Sequence, residues 1–299
     1  MNKRFISCNA SEILSMTAQE LKQSIAASEG RIIMSENVTF RMPSVEDITN
    51  AELARAFGAD LILLNGLDVL NPVIHGLVET KQNVVEELHA LVGRPIGVNL
   101  EPVDEAVNMA EERLEISQGR QASLKTIQEI ERLKFDFVCF TGNPGTGVSN
   151  KEIIKTLEIA KKHFSGLIIA GKMHGAGASE KIIDVVTLDA FIEAGADIIL
   201  VPAVGTVPGF DSMDLKRIVK RAHEKDVLVL SAIGTSQESS DPETIAQIAI
   251  ENKICGVDIQ HIGDAGYAGL APVENIFAMS KAIRGMRHSV SMISRSINR

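Results

Sequence analysis

Eight short apolar runs, spaced almost evenly along the chain, constrain the fold more than any other feature of the sequence. They begin near Arg31, Ala59, Arg94, Phe135, Gly166, Ala196, Val227 and Ile254. Each run is nearly continuous in Ile, Val, Leu and Phe, which is typical of parallel strands covered on both faces. Their starts lie about 27 to 41 residues apart, the length of a strand plus a crossover helix. The pattern predicts one α/β domain over residues 1–299, a single (β/α)8 TIM barrel.

The stretches between these runs carry helix signals. Thr17 and Glu20 have the spacing of a capping box, and Asp241 precedes Pro242 as an N-cap precedes a first-turn proline. An extra N-terminal helix is expected around Ser11–Ser28. An open doubly wound sheet is the alternative architecture, but no GxGxxG follows the first strand and the even spacing favours closure.

Three segments invite more specific expectations. Residues 58–60 and 195–197 both read Gly-Ala-Asp, which indicates either half-barrel symmetry or a common way to leave a helix and enter a strand. Residues 104–133 are long for one barrel helix and predict two helices joined by a turn, as an insertion or a substrate lid. The tail at 275–299 has apolar positions at helical spacing beyond Gly285, so we expect it to pack on a second subunit or across its own barrel.

Composition excludes several classes of protein. A net charge of −9, a pI near 5.4 and 4% aromatic residues argue against nucleic-acid binding, which needs clustered cations and stacking rings. The cysteines Cys8, Cys139 and Cys255 form no CxxC pair, as in reduced intracellular proteins. No apolar run reaches the ~20 residues that cross a bilayer, and residues 1–11 lack a signal-peptide core. We expect a cytoplasmic protein without membrane partners.

Polar residues gather where the predicted strands end, the position of active sites in barrels of this class. The candidates for substrate binding are Glu36, Asn65, Asn99, Thr141, Asn143 and His261. Period-2 alternation places Asn99 and Glu101 on one side of their strand. Such polar side chains would be costly in a closed apolar core, so they predict a binding site at the barrel mouth.

The loops after strands seven and eight are glycine-rich and lie where many barrels bind phosphate. Glycine lets backbone N–H groups approach an anion closely. The candidate phosphate-binding residues are Gly234, Thr235, Ser236, Gly263, Asp264 and Gly266. The alternative is that these glycines only form short turns.

Lys172, at the end of strand five, is the most distinctive candidate for chemistry. Three roles are open for Lys172. If burial lowers its pKa, it can form a Schiff base with a ketone; if it stays charged, it can pair with an anionic group of the substrate. In a purely structural role it would form a salt bridge with Glu101 or Glu36. His174 and Glu101 are candidate proton carriers, which completes a predicted catalytic set of Lys172, His174 and Glu101. No HxH, HExxH or DxD spacing supports a metal, so we expect no cofactor, with a divalent ion as the weaker alternative.

Six segments at the predicted strand ends carry a family resemblance: SENV, GADLILLNG, RPIGVNLEPVD, FTGNPGTGVSN, GKMHGAG and HIGDAGYAG. In them the chain resembles a group of uncharacterised bacterial (β/α)8-barrel proteins, which are sometimes labelled phosphonomutases or haloacid dehalogenases. The chain lacks the DxD pair of haloacid dehalogenases. Residues 253–256 only superficially match the KKCGH motif of phosphoenolpyruvate mutase, and they precede strand eight. At superfamily level the resemblance is to phosphate-binding TIM-barrel enzymes, and it implies the fold without transferring a catalytic set.

Together these features predict an enzyme acting on a small phosphorylated or carboxylated metabolite, as a lyase or aldolase or as an isomerase or epimerase. The alternatives are a non-catalytic barrel that binds a phosphorylated ligand and regulates a partner, and a metal-dependent lyase or hydrolase. A homo-oligomer is expected from the apolar tail.

Overall fold

Eight parallel strands close into a barrel in sequence order, which confirms the predicted (β/α)8 TIM barrel. The computed structural model describes residues 3–77, 83–109, 112–175 and 180–299. The strands are β1 (Ile32–Val38), β2 (Leu61–Asn65), β3 (Ile96–Leu100), β4 (Phe137–Phe140), β5 (Leu167–Gly171), β6 (Ile198–Pro202), β7 (Leu228–Ile233) and β8 (Ile259–Ile262). Barrel closure is direct, because β1 pairs in parallel with both β2 and β8.

The strands alternate with helices that cover the barrel. Within the described ranges the α-helices are α1 (Ala10–Leu14), α2 (Ala18–Ala26), α3 (Asn50–Ala56), α4 (Val84–Val92), α5 (Leu124–Arg132), α6 (Asn150–His163), α7 (Val185–Ala194), α8 (Ser212–His223), α9 (Pro242–Cys255) and α10 (Val273–Ser294). None of them is long and apolar enough to span a membrane.

The single N-terminal helix expected over Ser11–Ser28 is two helices, α1 and α2. Thr17 separates them, because its hydroxyl accepts a hydrogen bond from the N–H of Glu20 while the Glu20 carboxylate accepts from the N–H of Thr17. This capping box satisfies the first donors of α2 and starts a new helix there. The predicted box is therefore confirmed, and it is the reason that the longer helix is broken.

Alternation along the strands divides the core into two layers. Side chains such as Met34, Leu63 and Cys139 point into the barrel and pack with the N-terminal residues Phe5 and Ile6. The other side chains of each strand point outward and pack against the surrounding helices. Burial on both faces explains why the strands read as continuous apolar runs. The N-terminal segment thus fills the end of the barrel at which the strands begin.

An aspartate at the start of every even-numbered strand bonds the preceding odd-numbered strand. Asp60, Asp136, Asp197 and Asp258 each accept a hydrogen bond from one backbone N–H of the neighbouring strand, at 2.7 to 3.0 Å. The two Gly-Ala-Asp segments are members of this fourfold set. We call these residues the junction aspartates. The repeated Gly-Ala-Asp segments therefore serve strand pairing, and half-barrel symmetry stays a prediction.

Three of the junction aspartates also hold a basic side chain. Asp60 pairs with Arg284 at 2.6 Å, with both side chains inaccessible to solvent. Asp136 and Asp258 lie 2.6 and 2.9 Å from His89 and His223, respectively. These contacts tie the surrounding helices to the strand starts.

Residues 104–133 differ from the expected pair of helices. In their described part the only α-helix is α5, which follows a short 3-10 helix at Gln118–Arg120. The preceding chain is irregular because its polar groups bond elsewhere: the Asp104 side chain accepts from the N–H of Ala106, and the N–H of Leu114 donates to Gly145 O. Such local bonds compete with helix formation. A role as a lid stays a prediction.

Two further boundaries depend on glycine. The run that begins at Ile254 enters β8 only at Ile259, since α9 continues to Cys255 and ends at Gly256 with a left-handed φ of 96°. In α10, Gly285 has φ 70° and ψ 165°, so the eighth barrel helix is interrupted where the sequence predicts its end.

Beyond this kink the tail packs on its own barrel. Met292 belongs to the inner core layer, and its carbonyl accepts a hydrogen bond from Arg94 at 3.1 Å. The N–H of Ser11 donates to Arg299 O at 2.8 Å. Met286 and Val290 remain about half exposed, so the chain covers only part of the apolar tail, and the homo-oligomer stays a prediction.

The Asp60–Arg284 pair gives a test of the junction aspartates. Asp60→Asn is expected to lower the free energy of unfolding by about 3 kcal/mol, because removing one partner leaves the Arg284 charge buried without compensation. Urea unfolding followed by circular dichroism measures the loss. Asp197→Asn is the matched control, since the amide still offers an acceptor to the N–H of Ile168 and Asp197 forms no ion pair with the described residues. Equal losses in the two variants would contradict the account.

Candidate active site

The polar residues at the strand ends surround one cavity at the barrel mouth, with a volume of about 360 Å³. This is within the usual range of small-molecule sites. Its lining includes Glu36, Asn65, Asn99, Thr141, Asn143, His174, Gly234, Thr235, Ser236, Gly263 and Asp264 from the candidate sets. The inner-face positions of four neighbouring strands supply the deepest of these groups.

An amide network built on Asn65 joins four elements of the mouth. Asn65 and Asn143 exchange two hydrogen bonds, at 2.8 and 3.0 Å. Asn65 also donates to Asp264 at 2.8 Å and accepts from Asn99 at 3.1 Å. The end of β2 is thereby linked to β3 and to the loops after β4 and β8. Asn65 holds Asp264 in a fixed position at the cavity wall.

Two strand-end oxygens at the cavity have no partner among the described residues. The side-chain oxygens of Asn99 and Thr141 are buried and make no hydrogen bond. Buried polar groups are normally satisfied, so an unpaired acceptor facing a cavity indicates a ligand with donor groups. Both residues are among the predicted substrate-binding candidates, and that role stays a prediction.

Glu36 and His261 face each other inside the mouth. Glu36 Oε2 lies 3.0 Å from His261 Nε2, although the two atoms lack hydrogen-bond alignment and both ring nitrogens are unpaired. Burial raises the pKa of Glu36 to about 8, with a smaller contribution from Glu238 and Glu101. Burial lowers the pKa of His261 to about 4. At neutral pH the pair is therefore an uncharged acid beside an uncharged imidazole. His261 itself is fully buried and does not line the cavity.

Asp264 is the second carboxyl group with a displaced pKa. Burial raises its pKa to about 7, and the neighbouring Glu36 raises it further while the hydrogen bond from Asn65 opposes the shift. A carboxyl group with a pKa near neutrality both accepts and releases a proton under ordinary conditions. Perturbed carboxyl groups of this kind concentrate at functional sites.

Glu101 is placed differently from the prediction. Its carboxylate accepts from Arg120 at 2.8 Å and from the N–H of Asn143 at 2.9 Å, and it does not line the cavity. Both oxygens are thus engaged in holding the loop after β4. Glu101 positions Asn143 instead of facing a substrate.

Lys172 is likewise buried outside the cavity wall. It forms an ion pair with Glu180, not with the predicted Glu101 or Glu36. Burial lowers the pKa of Lys172, and the contact with Glu180 opposes that change. His174 does line the cavity, and its pKa is lowered by burial and then by the charge of Lys172. The neutral form of His174 is therefore favoured at the cavity wall, partly because Lys172 is nearby.

The predicted phosphate-binding residues are only partly together. Gly234, Thr235, Ser236, Gly263 and Asp264 line the cavity, whereas Gly266 does not. A Cβ on Gly266 would lie 1.7 Å from Leu270 O, so this glycine is required by close backbone packing. Phosphate binding stays a prediction.

Sequence reasoning missed one cavity residue of consequence, Glu238. It belongs to a 3-10 helix (Gln237–Ser239) that follows the loop after β7, and it is 2% exposed. Burial raises its pKa, and hydrogen bonds from backbone N–H groups oppose the shift. Glu238 lies too far along the chain from the end of β7 to be recognised as a strand-end residue. The signal that could have found it is an acidic residue in the short extra helix that such barrels use at their ligand sites.

In the parts of the chain that the structure describes, no three His, Cys, Asp or Glu side chains are grouped so that they could hold an ion. The expectation of no cofactor and its alternative, a divalent ion, both stay predictions.

The fold and the mouth together define a (β/α)8 barrel with a polar, carboxyl-rich site at the carboxyl ends of its strands. The chain belongs to the family described as a domain of unknown function, DUF7916, which it matches over residues 6–299. No curated protein is similar to it in sequence.

Solved structures confirm the architecture. A 2,3-dimethylmalate lyase, a member of the PEP mutase/isocitrate lyase superfamily, is 13% identical, with a TM-score of 0.51 over 84% of this chain and 81% of that one. A protein from Coccidioides immitis, solved as a candidate fructose-1,6-biphosphate aldolase, is 15% identical, with a TM-score of 0.51 over 94% and 95% of the two chains. At these identities the similarity is one of fold.

The displaced pKa of Glu36 predicts how stability depends on pH. The folded protein holds a proton on Glu36 up to about pH 8, whereas the unfolded chain releases it near 4.5. The free energy of unfolding should therefore fall as pH rises between these values, by at most about 1.4 kcal/mol per pH unit from this group.

Glu36→Gln, which cannot ionise, is expected to show a shallower decline and to exceed the wild type in stability at pH 8. Urea titrations at pH 5, 6, 7 and 8 measure the slopes. Glu243→Gln, at an exposed carboxylate, is the control and should keep the wild-type slope. Identical slopes for wild type and Glu36→Gln would contradict the assignment.

Proposed function

We propose that this protein is an enzyme that moves protons on a small, hydroxylated carbonyl metabolite, as a carbon–carbon lyase or as an isomerase. The observation that carries the proposal is the pair of carboxyl groups Asp264 and Glu36, with pKa values near 7 and 8 in one cavity. Groups whose pKa values straddle the working pH serve as base and acid. The barrels of similar fold include a lyase and a candidate aldolase, which is consistent with this chemistry.

Asp264 is proposed as the general base. Its pKa of about 7 leaves a substantial carboxylate fraction at neutral pH, and the hydrogen bond from Asn65 fixes one of its oxygens. In a lyase this carboxylate takes the proton of a β-hydroxyl group, the carbon–carbon bond breaks, and its electrons pass to the neighbouring carbonyl as an enolate. In an isomerase it takes the proton from the carbon itself.

Glu36 is proposed as the acid that stabilises the enolate oxygen. Protonated up to about pH 8, it donates a hydrogen bond inside a water-poor site, where such a donor stabilises developing negative charge strongly. Neutral His174 lines the same cavity and is a second donor. Asn99 and Thr141 offer their unpaired oxygens to hydroxyl groups of the substrate.

Hydrogen exchange on a panel of small metabolites tests this proposal. The protein is incubated in D2O with 2-oxo acids, hydroxyketones and their phosphate esters, and loss of C–H signals is followed by proton NMR. Wild type is expected to exchange or cleave at least one compound. Asp264→Asn and Glu36→Gln should each lower the rate at least ~100-fold, the usual contribution of a general acid or base. Glu243→Gln should match the wild type.

The pH profile of that reaction follows from the two groups. The rate should rise as Asp264 loses its proton near pH 7 and fall as Glu36 loses its own near pH 8, which gives a narrow bell. Full activity in Asp264→Asn would contradict the assignment. Compounds that bind without exchange or cleavage would instead support the non-catalytic, ligand-binding barrel.

Lys172 gives a separate test of the chemistry. Because Lys172 is 1% exposed, paired with Glu180 and outside the cavity lining, sodium borohydride with any active compound is expected to leave it unlabelled. Mass spectrometry of the tryptic digest measures this. A reduced adduct at Lys172 would establish a Schiff-base aldolase in its place. Lys172→Met is expected to keep the fold and to change activity through the pKa of His174.

A further inference from the structure

The loops after β7 and β8 are joined by side chains of the 3-10 helix Gln237–Ser239. The N–H of Ala265 donates to Glu238 Oε1 at 2.8 Å, and the Ser239 hydroxyl donates to Ala265 O at 3.1 Å. Asn275 at the start of α10 donates to the carbonyls of Glu238 and Ser240, at 2.8 and 2.7 Å. The position of the Glu238 carboxylate is therefore fixed from both sides.

The backbone around this carboxylate is shaped to admit it. A Cβ on Gly263 would lie 2.9 Å from Glu238 Oε1 and 3.0 Å from Ile233 O, so a larger residue would displace the carboxylate. Thr235 and Ser236 have φ values of 59° and 68°, a left-handed conformation that residues other than glycine rarely adopt. Such strain persists where the surroundings enforce it, commonly at ligand sites.

This carboxylate lies where phosphate-binding barrels hold the anion of their substrate, between the loops of strands seven and eight. We propose that Glu238 fills the anion position from within the chain, so that this end of the cavity binds a hydrogen-bond donor of the ligand instead of a phosphate. Glu238 Oε1 occupies the N–H of Ala265 that an anion would need. Glu238 Oε2 is buried, has no partner among the residues that the structure describes, and belongs to a residue that lines the cavity.

The charge of the surroundings supports the same reversal. Glu36, Glu238 and Asp264 all line the cavity, and each raises the pKa of another member of the set. At pH 8 the ionised Asp264 carboxylate would repel a phosphate dianion, whereas a hydroxyl or ammonium group would donate to the unpaired oxygen of Glu238. Glu238 is thus proposed as a residue that determines specificity. The proposal deepens the proposed function by naming the substrate's donor end, but the phosphate test below does not depend on turnover.

Inorganic phosphate is the probe that tests the occupation of this position. Isothermal titration at pH 8 is expected to show no phosphate binding to the wild type. Glu238→Ala vacates the N–H of Ala265 and should bind phosphate with a dissociation constant at least tenfold below the weakest that the titration detects. Glu238→Gln removes the charge but keeps an acceptor on that N–H, so it should behave as the wild type does. Glu243→Ala, which removes an exposed carboxylate five residues along the chain, is the control for net charge.

Phosphate binding by the wild type that Glu238→Gln leaves unchanged would overturn the proposal, and this comparison requires no alanine variant to fold. Equal gains in Glu238→Gln and Glu238→Ala would overturn it as well, since charge rather than occupation would then decide. Thermal stabilisation by glycerol or by methylammonium chloride that is lost in Glu238→Gln identifies the donor; the absence of both effects contradicts the donor contact. If the wild type shows no hydrogen exchange with any compound of the panel, the proposed function fails, but the phosphate results still stand. The two proposals can therefore fail independently.

Discussion

The four junction aspartates are the constraint on which the rest of the barrel depends. Each bonds the backbone of the preceding strand before the next strand begins, so the register is set in pairs around the barrel. A shift by one residue would exchange the inner and outer side chains of a strand. Because the inner side chains at the mouth carry the carboxyl, amide and imidazole groups, register at one end of the barrel determines chemistry at the other.

Three buried side-chain oxygens at the mouth have no hydrogen-bond partner among the described residues. Asn65 satisfies Asp264 and Asn143, but the oxygens of Asn99, Thr141 and Glu238 that face inward remain unpaired. Unpaired buried acceptors cost free energy unless a ligand supplies donors. The same burial moves the pKa values of Glu36 and Asp264 toward neutrality, as the proposed proton transfer requires.

Two residues of the predicted catalytic set contact neighbouring protein groups instead of lining the cavity. Glu101 holds the loop of Asn143, and Lys172 is paired with Glu180 behind His174. Both residues occupy strand ends as expected, but their side chains act on neighbouring protein groups. The carboxyl groups that reach the cavity with displaced pKa values are Glu36, Asp264 and Glu238.

The sequence by itself determined the barrel, its eight strands and the identity of most cavity residues, since apolar runs, capping signals and strand-end polarity are local patterns. Only the tertiary structure decided which polar residues line the cavity. Lys172 pairs with Glu180 and Glu238 contacts Ala265, in each case across separate parts of the chain. Glu36 is buried by residues from several strands and loops. Periodicity gives the side of a strand on which a residue lies. The partner of a side chain and its desolvation depend on the packing of the whole chain. Partner and desolvation together set the charge of the side chain and thereby its function.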